Sequence, residues 1–224
     1  IGYISLVKHV DRFILFDPVQ FIRHGWIERN RILKQNEGWK YIQVPLEKRN
    51  RETLIKDIKI NNSEKWKDKI IAQIQHYKKR SPYYFKVISI LNEVFSEEFL
   101  DVVSLNEKAL SVVCSYLGIT TPIDVFSRMN LQIVPVNAPD EWALNICKAI
   151  VGVDAYWNPS GGIRLFDKSK YDLAGINLKF LKTNCVEYDQ KREKFEPDLS
   201  ILDVLMFNSP KETNELLDQY TLIQ

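Results

Sequence analysis

The 224-residue sequence lacks the short patterns by which several kinds of chemistry are recognised. No cysteine pair stands at C-x-x-C spacing, and Cys114, Cys147 and Cys185 lie far apart along the chain. That argues against a zinc site and predicts free, buried thiols in a reducing compartment. There is no metal motif, and no cofactor is indicated. A G-x-S-x-G nucleophile, an H-E-x-x-H run and a catalytic cysteine at a helix start are all absent, so covalent catalysis has no support. No apolar run is long enough to span a bilayer, and no signal-peptide pattern precedes the first helix candidate, which leads to the expectation of a cytoplasmic chain. The net charge is only +2, with acids mixed among the Lys and Arg clusters, so nucleic acid is not an expected partner. The sequence is silent on oligomeric state.

What is present reads as alternating strands and helices. Residues 1–10 suit a short helix, and Phe13–Phe16 and Trp39–Val44 suit strands. Leu54–Ile60 alternates and is expected as a strand, after a charged loop from Glu47 to Glu52. Ser63 is a candidate N-cap for a helix in which Trp66, Ile70, Ile74 and Tyr77 share a face up to about Lys79. Ser81-Pro82 breaks it. Further helices are expected at 83–95 and at 105–117, the latter stopping at Gly118. Leu131–Val136 is a strand candidate, 140–151 a helix and 155–157 a strand into the turn Asn158-Pro-Ser-Gly-Gly162. A short helix at 168–174, a strand at 178–181 and closing helices at 199–207 and 211–220 follow. This pattern predicts an α/β or α+β fold, a mixed sheet flanked by helices, with 63–118 inserted as a helical lobe between the α/β parts 1–60 and 122–224.

The densest polar cluster follows the first strand. Asp17 and Gln20 lie just past its C-terminal end, where ligands collect in open α/β sheets. They could grip sugar hydroxyls or position a nucleophilic amine. Asp17 could equally cap local backbone amides. Trp26, Arg29 and Asn30 could stack on a ring and bind an anion, or form a half-buried tryptophan under a snorkelling arginine. Arg23 belongs to a generally basic stretch with His24 and Arg31. His76, in the last turn of a predicted helix beside Tyr77, has the ordinary pKa of about 6.5 that suits a general base. It could also be a surface histidine favoured by a helix C-terminus. Gly161 and Gly162 allow close backbone approach to a phosphate or carboxylate, or simply make a tight turn. Asp167 and Asp203 are expected as helix-associated structural acids.

Four stretches carry a resemblance. They are Asp11–Leu33, with Asp17-Pro-Val-Gln20, Trp26 and Arg29-Asn30; His76-Tyr-Lys-Lys-Arg-Ser-Pro-Tyr-Tyr84; Tyr156–Asp167 with Ala174–Leu178; and Leu199–Asn208. Together these resemble the WbqC-like family, in family order and over nearly the whole chain. Members usually carry a second acid where Pro18 stands, and open with a Gln-Pro-x-Phe/Tyr-Pro turn before the segment that here starts at Ile1.

The resemblance implies a bacterial protein of O-antigen or other surface-polysaccharide assembly. It further implies transfer of glycine or another acyl group to a nucleotide-linked or lipid-linked amino sugar. On that expectation His76 and Asp17 are catalytic. Gln20, Arg23, Trp26, Arg29, Asn30, Tyr77, Tyr83, Asn158, Gly161 and Gly162 bind substrate. The alternative is a non-catalytic sugar-nucleotide-binding or scaffold protein of the same pathway.

Overall fold

The computed structural model describes residues 1–184 and 186–224. Apolar residues near the start lead directly into the interior. α1 (Gly2–Lys8) buries Ile4, Leu6 and Val7, and the run after it supplies β1 (Phe13–Leu15). β2 (Arg29–Leu33) and β3 (Trp39–Gln43) form an antiparallel hairpin in which Arg31 faces Tyr41 and Leu33 faces Trp39. Gly38, near its turn, has a φ of 71°, a region glycine enters without steric cost. The polar run Arg29-Asn30-Arg31 hid β2 from sequence reading: only Ile32 and Leu33 of this strand are buried.

α2 (Trp66–Ile74) passes into a 3-10 segment, Gln75–Lys79. The predicted stripe Trp66, Ile70, Ile74 and Tyr77 is wholly buried. Ser63 is not the N-cap: its amide and hydroxyl both bond the Asn61 side chain, and the helix begins three residues later. α3 (Tyr84–Val94) follows the break at Pro82. α4 (Val102–Leu117) starts earlier than expected because Asp101 accepts the Ser104 amide at 2.8 Å. It ends at Gly118, a left-handed cap.

β4 (Ile123–Val125) pairs in parallel with β1. Then come α5 (Glu141–Ala149), β5 (Ala155–Pro159), a 3-10 segment at Ser160–Leu165, α6 (Lys168–Leu173) and β6 (Asn177–Thr183). α7 (Ile201–Phe207), α8 (Pro210–Leu217) and β7 (Tyr220–Ile223) close the chain.

Three expected elements are corrected. Leu54–Ile60 is not a strand. Its middle is a 3-10 turn, and the amides of Ile55 and Lys56 donate to the carbonyls of Val19 and Asp17, which leaves only isolated bridges. Leu131–Val136 is not a strand either. Pro135 has no amide to donate, and buried Asn145 binds the carbonyls of Val134 and Pro135 at 3.2 and 3.3 Å. The last helix stops at Leu217 instead of Tyr220, and the final residues pair antiparallel with β6.

The architecture is mixed α/β, with its strands in three small sheets: β1–β4, β2–β3 and β5–β6–β7. One hydrophobic cluster joins α1, β2 and β3 with the helices α2 to α4 and with α7 and α8. The span expected as a helical lobe therefore shares its interior with both ends of the chain. A smaller cluster, including Cys147, Tyr171 and Phe180, sits under α5 and α6. Cys114 and Cys147 are free and buried, and burial pushes both thiols up to about 11, which keeps them protonated and inert at neutral pH. Cys185 lies outside the described residues.

Ile74 is fully buried in the large hydrophobic cluster, whereas Leu173 is 89 % exposed. Ile74→Ala is expected to cost about 2–5 kcal/mol of unfolding free energy, and Leu173→Ala less than about 0.5 kcal/mol. Urea unfolding of both variants measures the contrast.

Candidate functional site

The sequence-derived candidates fall at four places. Asp17 is buried where β1 and β4 end in parallel. It accepts the Ser127 hydroxyl at 2.6 Å and the Ser127 amide at 3.1 Å. Gln20 is exposed and donates to the Arg51 carbonyl at 2.7 Å. Both side chains are engaged in joining loops.

The second place is the hairpin. Trp26 is 58 % exposed, with the Arg31 guanidinium 5.2 Å from its ring centre. Arg29 lies 4.2 Å over Tyr41 and donates to the carbonyls of His24 and Gly25. Asn30 accepts the Arg31 amide. Arg23 is exposed. Arg31 also stacks on Trp39, so the hairpin carries a ladder of arginines and aromatic rings.

Asn158, Gly161 and Gly162 occupy a third place, at the end of β5. Asn158 accepts the Tyr156 hydroxyl at 3.0 Å and donates to the Pro159 carbonyl. A methyl group on Gly162 would meet the Asn158 amide nitrogen at 2.3 Å, so glycine there permits close packing of the turn on its own strand.

The fourth place centres on Tyr77. Its hydroxyl donates to Asp203 at 2.5 Å and accepts the Leu33 amide at 2.8 Å, all three residues being buried. The second oxygen of Asp203 accepts the Tyr188 hydroxyl at 2.6 Å and the Gln190 amide at 3.3 Å. Gln190 is held in turn by the backbone of Glu196. Burial raises Asp203 to about 6, against the pull of the two tyrosine hydroxyls and Arg192 in the other direction. Burial, and next the Asp203 charge, drive the Tyr77 hydroxyl far above its ordinary range.

His76 stands beside this network, its ring 4.4 Å from that of Tyr77. Its Nδ1 lies 3.0 Å from the Gln73 carbonyl. A carbonyl only accepts, so Nδ1 carries the proton and Nε2 the lone pair. Nε2 is buried and has no hydrogen-bond partner among the described residues. The His76 side chain lines a recess of about 70 Å³ together with Gln35, Arg80, Gln190, Arg192 and Phe207. Burial, followed by the charge of Lys40, lowers the His76 pKa. The Gln73 and Leu33 carbonyls oppose this, and Arg192 adds to it. The ring is therefore mainly neutral at pH 7.

Beyond Phe207 lies an open groove of about 560 Å³, lined by Tyr83, Tyr188, Asn208 and the acids Glu187, Asp189 and Glu212. Tyr83 also donates its amide to the Met206 carbonyl, as does the Ser81 hydroxyl. Gln20 and Asn158 line neither cavity. No group of His, Cys, Asp and Glu suited to a metal ion occurs among the described residues.

Three of the four resembling stretches thus meet at one hydroxyl. Leu33 closes the first, Tyr77 belongs to the second and Asp203 to the last. A family model described as the WbqC-like protein family matches residues 1–215. The chain belongs to the WbqC-like protein family. A relative from Mycobacterium tuberculosis (strain ATCC 25618 / H37Rv), the uncharacterized protein Rv1507c, is 27% identical over 219 residues, covering 96% of this chain and 91% of its own. No solved structure matches this WbqC-like chain. No helix among its described residues is long and apolar enough to cross a membrane.

Sequence reasoning placed His76 and Tyr77 but missed the role of Asp203 and the presence of Gln190, Arg192 and Lys40. A lone acid inside the apolar run Ile201–Phe207 was the available signal. Arg192 sits in a charged stretch with none.

In the WbqC-like chain, Asp203 holds its proton more tightly folded than unfolded. The stabilisation this provides is complete below the ordinary carboxylate pKa and is lost as pH rises through about 6. Asp203→Asn leaves one tyrosine hydroxyl facing an amide donor, which is expected to cost about 1–3 kcal/mol at neutral pH. The advantage of the native chain over this variant should be larger near pH 4 by on the order of 3 kcal/mol. Urea unfolding of both proteins between about pH 4 and 7 tests this, and a pH-independent gap would contradict it.

Proposed function

We propose that this WbqC-like protein transfers an acyl or aminoacyl group, such as glycine, to the amine of a nucleotide-linked or lipid-linked amino sugar in bacterial surface-polysaccharide (O-antigen) assembly. The pathway is what the family resemblance implies. The observation that carries the chemistry is the His76 imidazole, its pKa lowered and its Nε2 unpartnered, on a side chain that lines a recess rich in positive charge. In the reaction, His76 removes a proton from the sugar ammonium. The freed amine attacks the carbonyl of an activated ester or thioester, the C–N bond forms, the C–O or C–S bond to the leaving group breaks, and the second amine proton passes to the departing oxygen or sulfur. The recess is too small for a whole sugar, so only a small charged group of the substrate enters it, and the sugar with its amine lies at the mouth. The groove beyond Phe207 has the volume of a small-molecule site, and its carboxylates suit an ammonium-bearing acceptor.

Asp17 is bonded to Ser127, so its part in the transfer is to fix the loop after β1. Gln20, Arg29 and Asn30 likewise spend polar atoms on backbone groups. That inward-directed bonding favours a second reading, a cytoplasmic sugar-nucleotide-binding or scaffold protein that performs no transfer.

Mass spectrometry after incubation with nucleotide amino sugars and acyl esters or thioesters separates the two. Transfer appears as an added acyl mass, falling by about 10²-fold or more in His76→Ala. Because the His76 pKa is lowered in the empty site, kcat/KM, which reports the free enzyme, should be flat above pH 7 and decline only below the ordinary histidine range of about 6.5. Saturable binding without product across donors would establish the second reading.

A further inference from the structure

The recess at His76 is unusual in its charge. Lys79, Arg80 and Arg192 line it, and Lys40 is close enough to depress the imidazole. Among the described residues none of these four cations forms an ion pair with a carboxylate. No acid lines the recess itself. The carboxylates whose charge acts on Arg192 are Asp203 and Glu196. Asp203 is already committed to two tyrosine hydroxyls and an amide.

Arg192 is half-buried, and one of its terminal nitrogens donates to the Gly38 carbonyl at 3.3 Å. Its Nε is buried without a partner, as is His76 Nε2. An isolated N–H and an imidazole nitrogen, both out of water and without partners, are costly unless a ligand engages them. Burial and the neighbouring Arg80 charge push even the Arg192 guanidinium downwards.

We infer that this recess is an anion site, in which Arg192 and Arg80, supported by Lys79 and Lys40, hold one phosphate group of the sugar donor or acceptor against His76. A volume of about 70 Å³ accommodates a single tetrahedral oxyanion and not a sugar ring. The guanidinium forks supply directional donors to phosphate oxygens, and the lysines supply point charge. The choice of phosphate over other oxyanions rests on the proposed use of a nucleotide-linked or diphospholipid-linked sugar. The cation cluster does not depend on that reaction.

Binding has a consequence for His76. The bound anion opposes the charges of Lys40 and Arg192, so the imidazole takes up a proton more readily when phosphate is present. The Gln73 carbonyl already accepts from Nδ1, so the added proton goes to Nε2. His76 is thus a stronger base in the loaded site than in the empty one.

NMR of the imidazole resonances, with the full chain titrated first with inorganic phosphate and then with pyrophosphate, tests this. The expected result is a saturable shift of His76 and a rise in its pKa of about one unit or more. Affinity should weaken roughly tenfold or more in Arg192→Gln and also in Arg80→Gln, whose side chain is exposed and whose replacement leaves the core intact. A UDP-linked amino sugar and a diphospholipid analogue then identify which source of phosphate binds more tightly, and the free amino sugar serves as the control. No saturable shift of His76 with either phosphate probe, or an unchanged affinity in folded Arg80→Gln and Arg192→Gln, overturns the inference. Absence of acyl transfer with phosphate binding intact would overturn the transfer reaction alone.

Discussion

The Tyr77 hydroxyl is the point on which this structure turns. It accepts the amide of Leu33 at the inner end of the hairpin and donates to Asp203 in the first turn of α7. All of this is out of water, where a missing partner costs more than a made bond gains. The hairpin, the 3-10 turn after α2 and the C-terminal helices must therefore be placed together. Residues 44 and 126 positions apart in sequence are brought to one atom, and the apolar cluster around Ile32, Ile74 and Leu205 closes over them. Burial drives the association, and the hydrogen bonds fix which arrangement is reached.

The same constraint positions the chemistry. His76 precedes Tyr77, so anchoring the tyrosine fixes the neighbouring ring, and the Gln73 carbonyl fixes its tautomer. Tyr188 and Gln190 carry the network from Asp203 to the segment that bears Arg192, which in turn reaches Gly38 in the hairpin turn. A recess with positive walls and a neutral imidazole follows from this packing. The buried carboxylate behind it lets like charges gather without a surface ion pair.

Much of this was legible in the sequence where periodicity governs. The stripe Trp66, Ile70, Ile74, Tyr77 announced both a helix and a buried tyrosine, and Gly118 announced a stop. What failed did so for identifiable reasons. β2 is half polar because its arginines stack on Trp26, Trp39 and Tyr41, an interaction between segments that alternation does not encode. Leu54–Ile60 and Leu131–Val136 alternate or carry apolar residues as strands do. Their backbone partners are a loop and the Asn145 side chain, and neither can be read from spacing. In the site, His76 was visible as one of few histidines. Asp203 looked like a helix acid because its two tyrosine partners are distant in sequence or lie in an irregular segment. Gln20, His76 and Asn158 lie at separate places, each bonded to its own neighbourhood.

The most direct test of this dependence is a double-mutant cycle between Tyr77→Phe and Asp203→Asn, read by urea unfolding at neutral pH. If the hydroxyl and the carboxylate are one buried unit, the two losses overlap, with a coupling energy of about 1–3 kcal/mol. Additivity within about 0.5 kcal/mol would mean the two groups do not depend on each other, and the hub described for this WbqC-like protein would not exist.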